Sequence, residues 1–488
     1  MKINEKKLLF IIYSTIILYF SMQIKNIEQL VCLILLSIII LVLNIFIIKK
    51  EKMEVYKKFA CIAFVFGMMF IIFIPILHGI DEGAHFFKVY SFFYDAKSHY
   101  NKENVLMDDV PVVIRKADYI EMIKDTSIIL KENIIDEETI PTKDYIGAKL
   151  YSPIAYITYL FPMFIFKRIC NLNIFWLVTF GRLFSFCVWL LSMMYVIKII
   201  PRKKEFIAVL CLLPIILSVV TTFTGDLVNN AAVFLFIAIW YKLYVEKRKI
   251  TKKEIFIITL LGIITTFSKI VYALIFFIIL LLPKENFKNN KDKYITTISI
   301  ILILFLSFLL NISVVGNDLL DAYPAISEQK NFIKSNILNY IYIFIKTIIT
   351  NIPTYLYQFT TGKTTMCDNS ITVDNVLSIA YWIVLIAAFL CEENDMRLNK
   401  KSKILVSVII ITMISIIFLS LYLQWTATKF GVGYQSIMGV QGRYFIPISL
   451  LLICVSNKFK IEINKKLLWT SIISMNFIII LKVMICFL

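Results

Sequence analysis

Four short stretches of this sequence carry charged side chains at the edges of long apolar runs, where an ionised group is costly and therefore informative. The first is Ile80-Asp81-Glu82-Gly83-Ala84-His85-Phe86-Phe87-Lys88, directly after the apolar run Phe59 to Leu77. A carboxylate at a membrane edge has low dielectric on one side, so its pKa tends to rise unless a cation or metal lies beside it. Such a group suits a general base or an ion ligand, and Asp81 and Glu82 are the candidates. The plainer reading is a solvated helix start, because acids favour helix amino termini. If Asp81 opens a helix, Glu82 and His85 stand at i, i+3, a pair that can hold a divalent metal, although the two-histidine HExxH pattern is absent. No cofactor is certain, and a divalent metal stays open.

The second stretch is Thr224-Gly225-Asp226-Leu227-Val228-Asn229-Asn230, where a turn between two apolar runs places Asp226 at a surface. It reads either as a helix amino cap or as an acceptor- or metal-binding group. The third, Thr265 to Tyr272, holds Lys269 among apolar neighbours, suited to neutralising a phosphate or to snorkelling at an interface. The fourth, Gly439-Val440-Gln441-Gly442-Arg443-Tyr444-Phe445-Ile446-Pro447, brings Arg443 to the start of an apolar run. A permanently charged, bidentate donor suits a phosphodiester or pyrophosphate, with interfacial anchoring as the alternative.

These groups need a scaffold, and composition says which. Of 488 residues 59% are hydrophobic and the mean hydropathy is +0.81, well above the roughly 45–50% apolar share of a soluble domain. Runs such as Leu30 to Ile48, Ile295 to Leu310 and Ile404 to Leu423 approach the roughly 20 residues needed to cross a bilayer core. Leu8 to Met22 follows a basic start like a signal peptide but lacks a small-residue cleavage site, so it reads as a retained helix. The net charge of +18 does not mark a nucleic-acid binder, because the lysines punctuate apolar runs instead of forming one solvated face. The nine cysteines are scattered without a CxxC; Cys170 and Cys367 alone fall in segments read as external, leaving a disulfide between them as an option.

Basic clusters at Lys49 to Lys58, Lys198 to Lys204, Lys242 to Lys253, Lys284 to Lys293, Arg397 to Lys403 and Lys458 to Lys466 can all be placed inside together. That arrangement predicts helices near 8–24, 30–48, 59–78, 175–199, 206–223, 228–245, 254–269, 271–283, 295–314, 375–391, 403–423, 444–456 and 468–487, about thirteen spans. Tyr151 to Phe166 and Ile337 to Tyr357 are then laid in the outer interface as amphipathic helices. Two external segments follow, 79–173 and 316–374; the stretch from Gly79 to Leu150 holds fourteen of the thirty-three acidic residues. Segments longer than about 12–15 residues without periodic structure are usually functional or disordered.

The stretch from Asp81 to Lys88 resembles the PDExxHf-plus-basic motif of a widespread bacterial family of predicted multi-pass membrane proteins, a domain of unknown function related to the GT-C glycosyltransferases, with Ile80 replacing the proline. Further matches are Tyr151-Ser152-Pro153-Ile154-Ala155-Tyr156, Gly181-Arg182-Leu183, Leu213-Pro214 through Asp226, Ser268-Lys269-Ile270-Val271-Tyr272 and Gln441-Gly442-Arg443-Tyr444-Phe445-Ile446-Pro447, spread over about residues 60–460. The resemblance implies an all-α, GT-C-like integral membrane fold with a long first extracytoplasmic loop carrying juxtamembrane helices. It also implies a polyprenyl-phosphate sugar donor and an acidic catalytic residue in the first external loop, which here is Asp81 or else Glu82. Lys269, Arg443 and Lys88 would hold the donor phosphate, His85 and Asp226 would serve a metal or the acceptor, and Tyr272, Tyr444 and Gln441 are further candidates within the motifs.

The expected organisation is a hairpin at 1–50, a membrane domain at 51–460 and a final helix at 461–488. The expected activity is sugar transfer to an extracytoplasmic glycan or protein acceptor, at the outer face of a bacterial plasma membrane. A transporter or flippase of lipid-linked saccharide and a non-catalytic subunit of a glycan-assembly complex remain the alternatives. A transporter would favour repeated halves with broken helices near mid-membrane.

Overall fold

Segments that are apolar on all sides cannot keep one face in water, so they fold as helices buried in protein or lipid. The computed structural model describes residues 5–90, 92, 151–170, 174–322, 324–362, 375–393, 398–455 and 460–487, and among them every regular element is helical. In chain order the principal helices are α1 (Glu5–Ser21), α2 (Ile27–Lys49), α3 (Val55–Phe73), α4 (Glu82–Tyr90), α5 (Ile157–Met163), α6 (Ile174–Ile199), α7 (Lys204–Cys211) and α8 (Pro214–Val220). There follow α9 (Leu227–Glu246), α10 (Lys252–Ser268), a 3-10 helix (Ile270–Leu281), α11 (Asn290–Ala322), α12 (Pro324–Ser335), α13 (Ile337–Thr360), α14 (Asn375–Leu390), α15 (Lys400–Leu421) and α16 (Lys465–Phe487).

Seven helices among the described residues are long and apolar enough to cross a membrane, or up to eight if α12 and α13, bent by 104° at their junction, count as one span. The thirteen spans read from sequence are not all continuous helices of spanning length. The segment 206–223 is split into α7 and α8, because Pro214 has no backbone N–H and its ring obstructs the preceding turn. The Leu212 carbonyl beside that break accepts a hydrogen bond from Asn476 Nδ2 at 3.0 Å, and Asn476 Oδ1 accepts one from Tyr381 at 2.8 Å. The expected span 271–283 falls on the 3-10 helix Ile270–Leu281, and that at 444–456 on the 3-10 turn Gly442–Phe445 followed by two four-residue helices, Ile446–Ser449 and Leu452–Val455.

Described residues of several basic clusters gather at one end of the bundle. There Lys203 donates to the Phe389 and Glu392 carbonyls at the finish of α14, Glu392 accepts from the Lys204 backbone N–H, Lys465 pairs with Glu205, and Lys466 pairs with Glu51. Asp81, Asp226, Lys269 and Arg443 lie at the other end. The stretch 151–170 stays at that second end: Tyr159 donates to the Thr222 carbonyl at 2.7 Å, and Phe166 stacks on Phe180 near the start of α6.

The core is built on α6 to α9 and α16, where residues 206–228 are buried almost without interruption. Outside it, α1 and α2 pack against α16. Tyr13 stacks on Phe477, buried Asn44 accepts a hydrogen bond from Thr470 and donates one to Tyr13, and Gln29 donates to the Ile485 carbonyl. The acidic stretch 93–150, Cys367 and the rest of 363–374 lie outside the described residues, and the Cys170–Cys367 pairing with them.

Candidate functional site

The chain leaves α3 at Phe73 and turns through Pro75 to α4, and two non-glycine residues in that turn, Leu77 (φ 62) and Asp81 (φ 55), adopt left-handed backbone. Such a conformation is uncommon outside glycine, tolerated best by Asn and Asp, and persists where the surroundings enforce it. The enforcement comes from Glu82, which is fully buried. Its Oε1 accepts hydrogen bonds from Arg182 Nε at 2.7 Å and the Phe223 N–H at 3.1 Å; its Oε2 accepts from Arg182 Nη2 at 2.5 Å and the Gly79 N–H at 2.9 Å. Arg182, on α6 and equally buried, donates two further hydrogen bonds, to the Ile74 and Pro75 carbonyls. A Cβ at Gly79 would lie 2.4 Å from Thr222 Cγ2, so only glycine allows this approach. The loop is thus clamped to α6 and to the end of α8.

Clamping Glu82 aims its neighbour elsewhere. Asp81 has a 42% exposed side chain, and its Oδ2 accepts a hydrogen bond from Arg443 Nη2 at 2.5 Å. Arg443 is only 7% exposed, and its Nε lies 3.7 Å from Asp226 Oδ2, too far for a hydrogen bond; that buried N–H has no partner. Asp226, at the start of α9, pairs through its other oxygen with Lys269, at the end of α10. The Lys269 ammonium lies 5.0 Å from the Tyr444 ring centroid and 5.4 Å from that of Tyr151, both within cation–π reach. Tyr272 donates to the Tyr444 carbonyl at 2.7 Å, fastening the Arg443 turn to the 3-10 helix.

The result is an alternating row, Asp81, Arg443, Asp226, Lys269, with two charges of each sign. Burial pushes the Asp226 carboxyl up, but Lys269 and Arg443 outweigh it and hold the group at about 2. Burial works against the Lys269 ammonium in turn, and Asp226 raises it above the usual range. His85 lies beside the row with its Nδ1 2.7 Å from the Tyr156 hydroxyl; burial lowers it to about 4 against the pull of Asp81 and Asp226, so it is neutral near pH 7.

Seven of the ten residues singled out from sequence therefore meet: Asp81, His85, Asp226, Lys269, Tyr272, Arg443 and Tyr444. Gln441 stands two residues before Arg443, and its carbonyl accepts the Tyr444 N–H. Lys88 is in the last turn of α4 with its ammonium 5.0 Å from the Phe92 ring centroid. Glu82 stands apart from the row, with all four of its acceptor positions taken by Arg182, Gly79 and Phe223. Among the described residues no three His, Cys, Asp or Glu side chains gather as metal ligands, and at this site each acid is matched by a base.

Three contributors carried no role in the sequence reading: Arg182, Tyr151 and Tyr156. Arg182 left a signal, being the only charge within the apolar stretch from Ile174 to Ile197.

Next to the row lies a cavity of about 560 Å³ between α13, α14, α15 and the segment after Arg443. Phe445 and Phe359 line it near the site, and Phe206 and Val455 line it toward the basic end; no charged side chain faces it. Its wall at α13 touches the site directly, because the Gly442 N–H donates to Gln358 Oε1 at 3.0 Å. A Cβ on Gly442 would lie 2.2 Å from the Tyr355 carbonyl oxygen.

A family model described as "Predicted membrane protein (DUF2142)" matches residues 64–452, which takes in the whole charged row and leaves out α1, α2 and α16. No curated protein and no solved structure matches the chain.

Proposed function

This chain belongs to the DUF2142 family of predicted membrane proteins, and we propose that it transfers a glycosyl group from a polyprenyl-phosphate carrier to a hydroxyl of a glycan or protein at the outer face of a bacterial membrane. One observation carries the reading: an accessible carboxylate, Asp81, stands in a row with two buried cations, near an apolar cavity. A lipid-linked phosphate needs those parts together. The outer-face assignment rests on the basic clusters at the opposite end, which the positive-inside rule puts in the cytoplasm.

In the proposed reaction Asp81 takes the proton of the acceptor hydroxyl. The acceptor oxygen forms a bond to the anomeric carbon while the bond from that carbon to the phosphate oxygen breaks. The bonding electron pair leaves on the phosphate, and Arg443 and Lys269 offset the growing charge. A positioned base contributes about 10²- to 10⁴-fold, and a preorganised donor at a developing oxyanion about 10²- to 10³-fold. Glu82 and Arg182 are positioning residues, since they fix the loop that presents Asp81. Neutral His85 and Tyr156 supply a hydrogen-bonded wall for the acceptor.

The test is reconstitution of full-length protein with a polyprenyl-phosphate sugar and an acceptor extract, comparing wild type with Asp81→Asn. Loss of transfer by at least about 10²-fold in a folded, inserted variant is expected. Undiminished transfer removes the catalytic assignment.

The break between α7 and α8 supports a second reading, movement of a lipid-linked saccharide across the membrane, because broken helices are common at transport sites. Here the freed Leu212 carbonyl is already held by Asn476, which favours a structural role for the break. Flipping of a labelled lipid-linked saccharide by Asp81→Asn at the wild-type rate, with no transfer by either protein, would select the second reading.

A further inference from the structure

The cations that a phosphate requires are already in use, each facing an acid of the protein itself. The two acids are not equivalent. Asp226 is buried, takes Lys269 on one oxygen and turns the other toward Arg443, so moving it would strand charge in the interior. Asp81 grips Arg443 through one oxygen only, with much of its side chain in solvent, where water can take over its hydration as it leaves. It also stands on left-handed backbone at the head of the nine-residue helix α4.

Arg443 shows the complementary imbalance. It is more than nine-tenths buried, and its Nε–H has no partner although the Nη2 on the same edge is engaged. A guanidinium presents Nε and Nη2 as a parallel fork that two oxygens of one phosphate fill together. A phosphate arriving on that edge would satisfy the idle donor and take Nη2 from Asp81 in the same step.

We propose that the Asp81–Arg443 ion pair is a latch opened by phosphate: the phosphate claims the Nε–Nη2 edge of Arg443 and thereby frees Asp81 as an unpaired carboxylate. The inference rests on the transferase reading for the identity of the reaction, though not for the latch itself. It orders the site, because the base becomes available only once the phosphate-bearing partner is bound, and an acceptor hydroxyl or water arriving first meets a carboxylate whose charge is already engaged. Arg443 is then both the phosphate ligand and the group that sets the timing of the base.

The latch makes a prediction opposite to that of a simple binding residue. If Asp81 competes with phosphate for Arg443, removing its charge must tighten phosphate binding. With the latch open about one tenth of the time, the apparent affinity rises about tenfold when it is removed. The measurement is equilibrium binding of a polyprenyl monophosphate, and separately of inorganic phosphate, to full-length protein in nanodiscs, for wild type, Asp81→Asn, Asp81→Ser and Arg443→Gln. Tighter binding in either Asp81 variant together with weaker binding in Arg443→Gln is expected. Tightening for both ligands assigns recognition to the phosphate group, and tightening for the polyprenyl ligand alone assigns it to the lipid-linked form. Unchanged or weaker binding in both folded Asp81 variants overturns the latch. Glycosyl transfer is scored separately, so tightening without any transfer by the wild type removes the transferase reading and leaves the latch standing.

Discussion

Replacing Arg182 by Met removes the clamp that orients the site while leaving the cluster of charges untouched. Glu82 would keep only its two backbone donors, Gly79 and Phe223, and would sit fully buried with its charge unpaired. Breaking a buried pair by removing one partner costs about 3–5 kcal/mol. The carbonyls of Ile74 and Pro75 also lose their donor, which puts the variant toward the upper half of that range. Glu82→Gln keeps the shape and strands the guanidinium instead, at a comparable cost. The double variant removes both charges, so its cost should fall short of the sum by about 2–3 kcal/mol, as expected for directly contacting residues. Denaturation of detergent-solubilised full-length protein, followed by fluorescence-detected size exclusion, reads all three variants. Costs that simply add, or an Arg182→Met penalty below about 1 kcal/mol, would show that Glu82 is not caged and would return it to the list of candidate bases.

Gly442→Ala forces α13 away from the Arg443 turn, because the added Cβ would meet the Tyr355 carbonyl oxygen at 2.2 Å; a loss of about 1–3 kcal/mol of stability is expected in the same assay. His85 gives a pH signature. Its pKa is about 4 in the folded protein and about 6.5 when unfolded, so the unfolded chain takes up the proton first. Stability should therefore decline as pH falls from about 6.5 to 4, by up to about 3 kcal/mol, and His85→Gln should flatten that part of the profile. A profile unchanged by the substitution would mean that His85 is solvated and not enclosed by Tyr151 and Tyr156.

The charged row was legible in sequence because an ionised group at the end of an apolar run is rare enough to mark itself. Asp81, Asp226, Lys269 and Arg443 stand out in that way, and their meeting is the new information. Glu82 shows the limit of local spacing. The i, i+3 rule offered His85 as its partner, whereas its true partner lies 100 residues along the chain on another helix, a choice made by packing. The break at Pro214 was written in the sequence, but apolarity alone masked it. The tight 3-10 winding of Ile270–Leu281 has no such mark, and I-V-Y-A-L-I-F-F-I-I-L-L reads equally well as an α-helix.

The packing of α1 and α2 against α16 bears on how the protein is made. Asn44 is buried and depends on Thr470 for one of its hydrogen bonds, yet 426 residues separate the two in the chain. At a synthesis rate of about 5–20 residues/s, the early hairpin waits roughly 20–85 s in the membrane before that partner leaves the ribosome. Throughout that interval Asn44 has only Tyr13 of the same hairpin for company, and the face meant for α16 meets lipid or an insertion chaperone. Closure of this side of the bundle is therefore a late event of biosynthesis, and a ribosome stalled before α16 should leave the Asn44 face of the hairpin uncovered by protein.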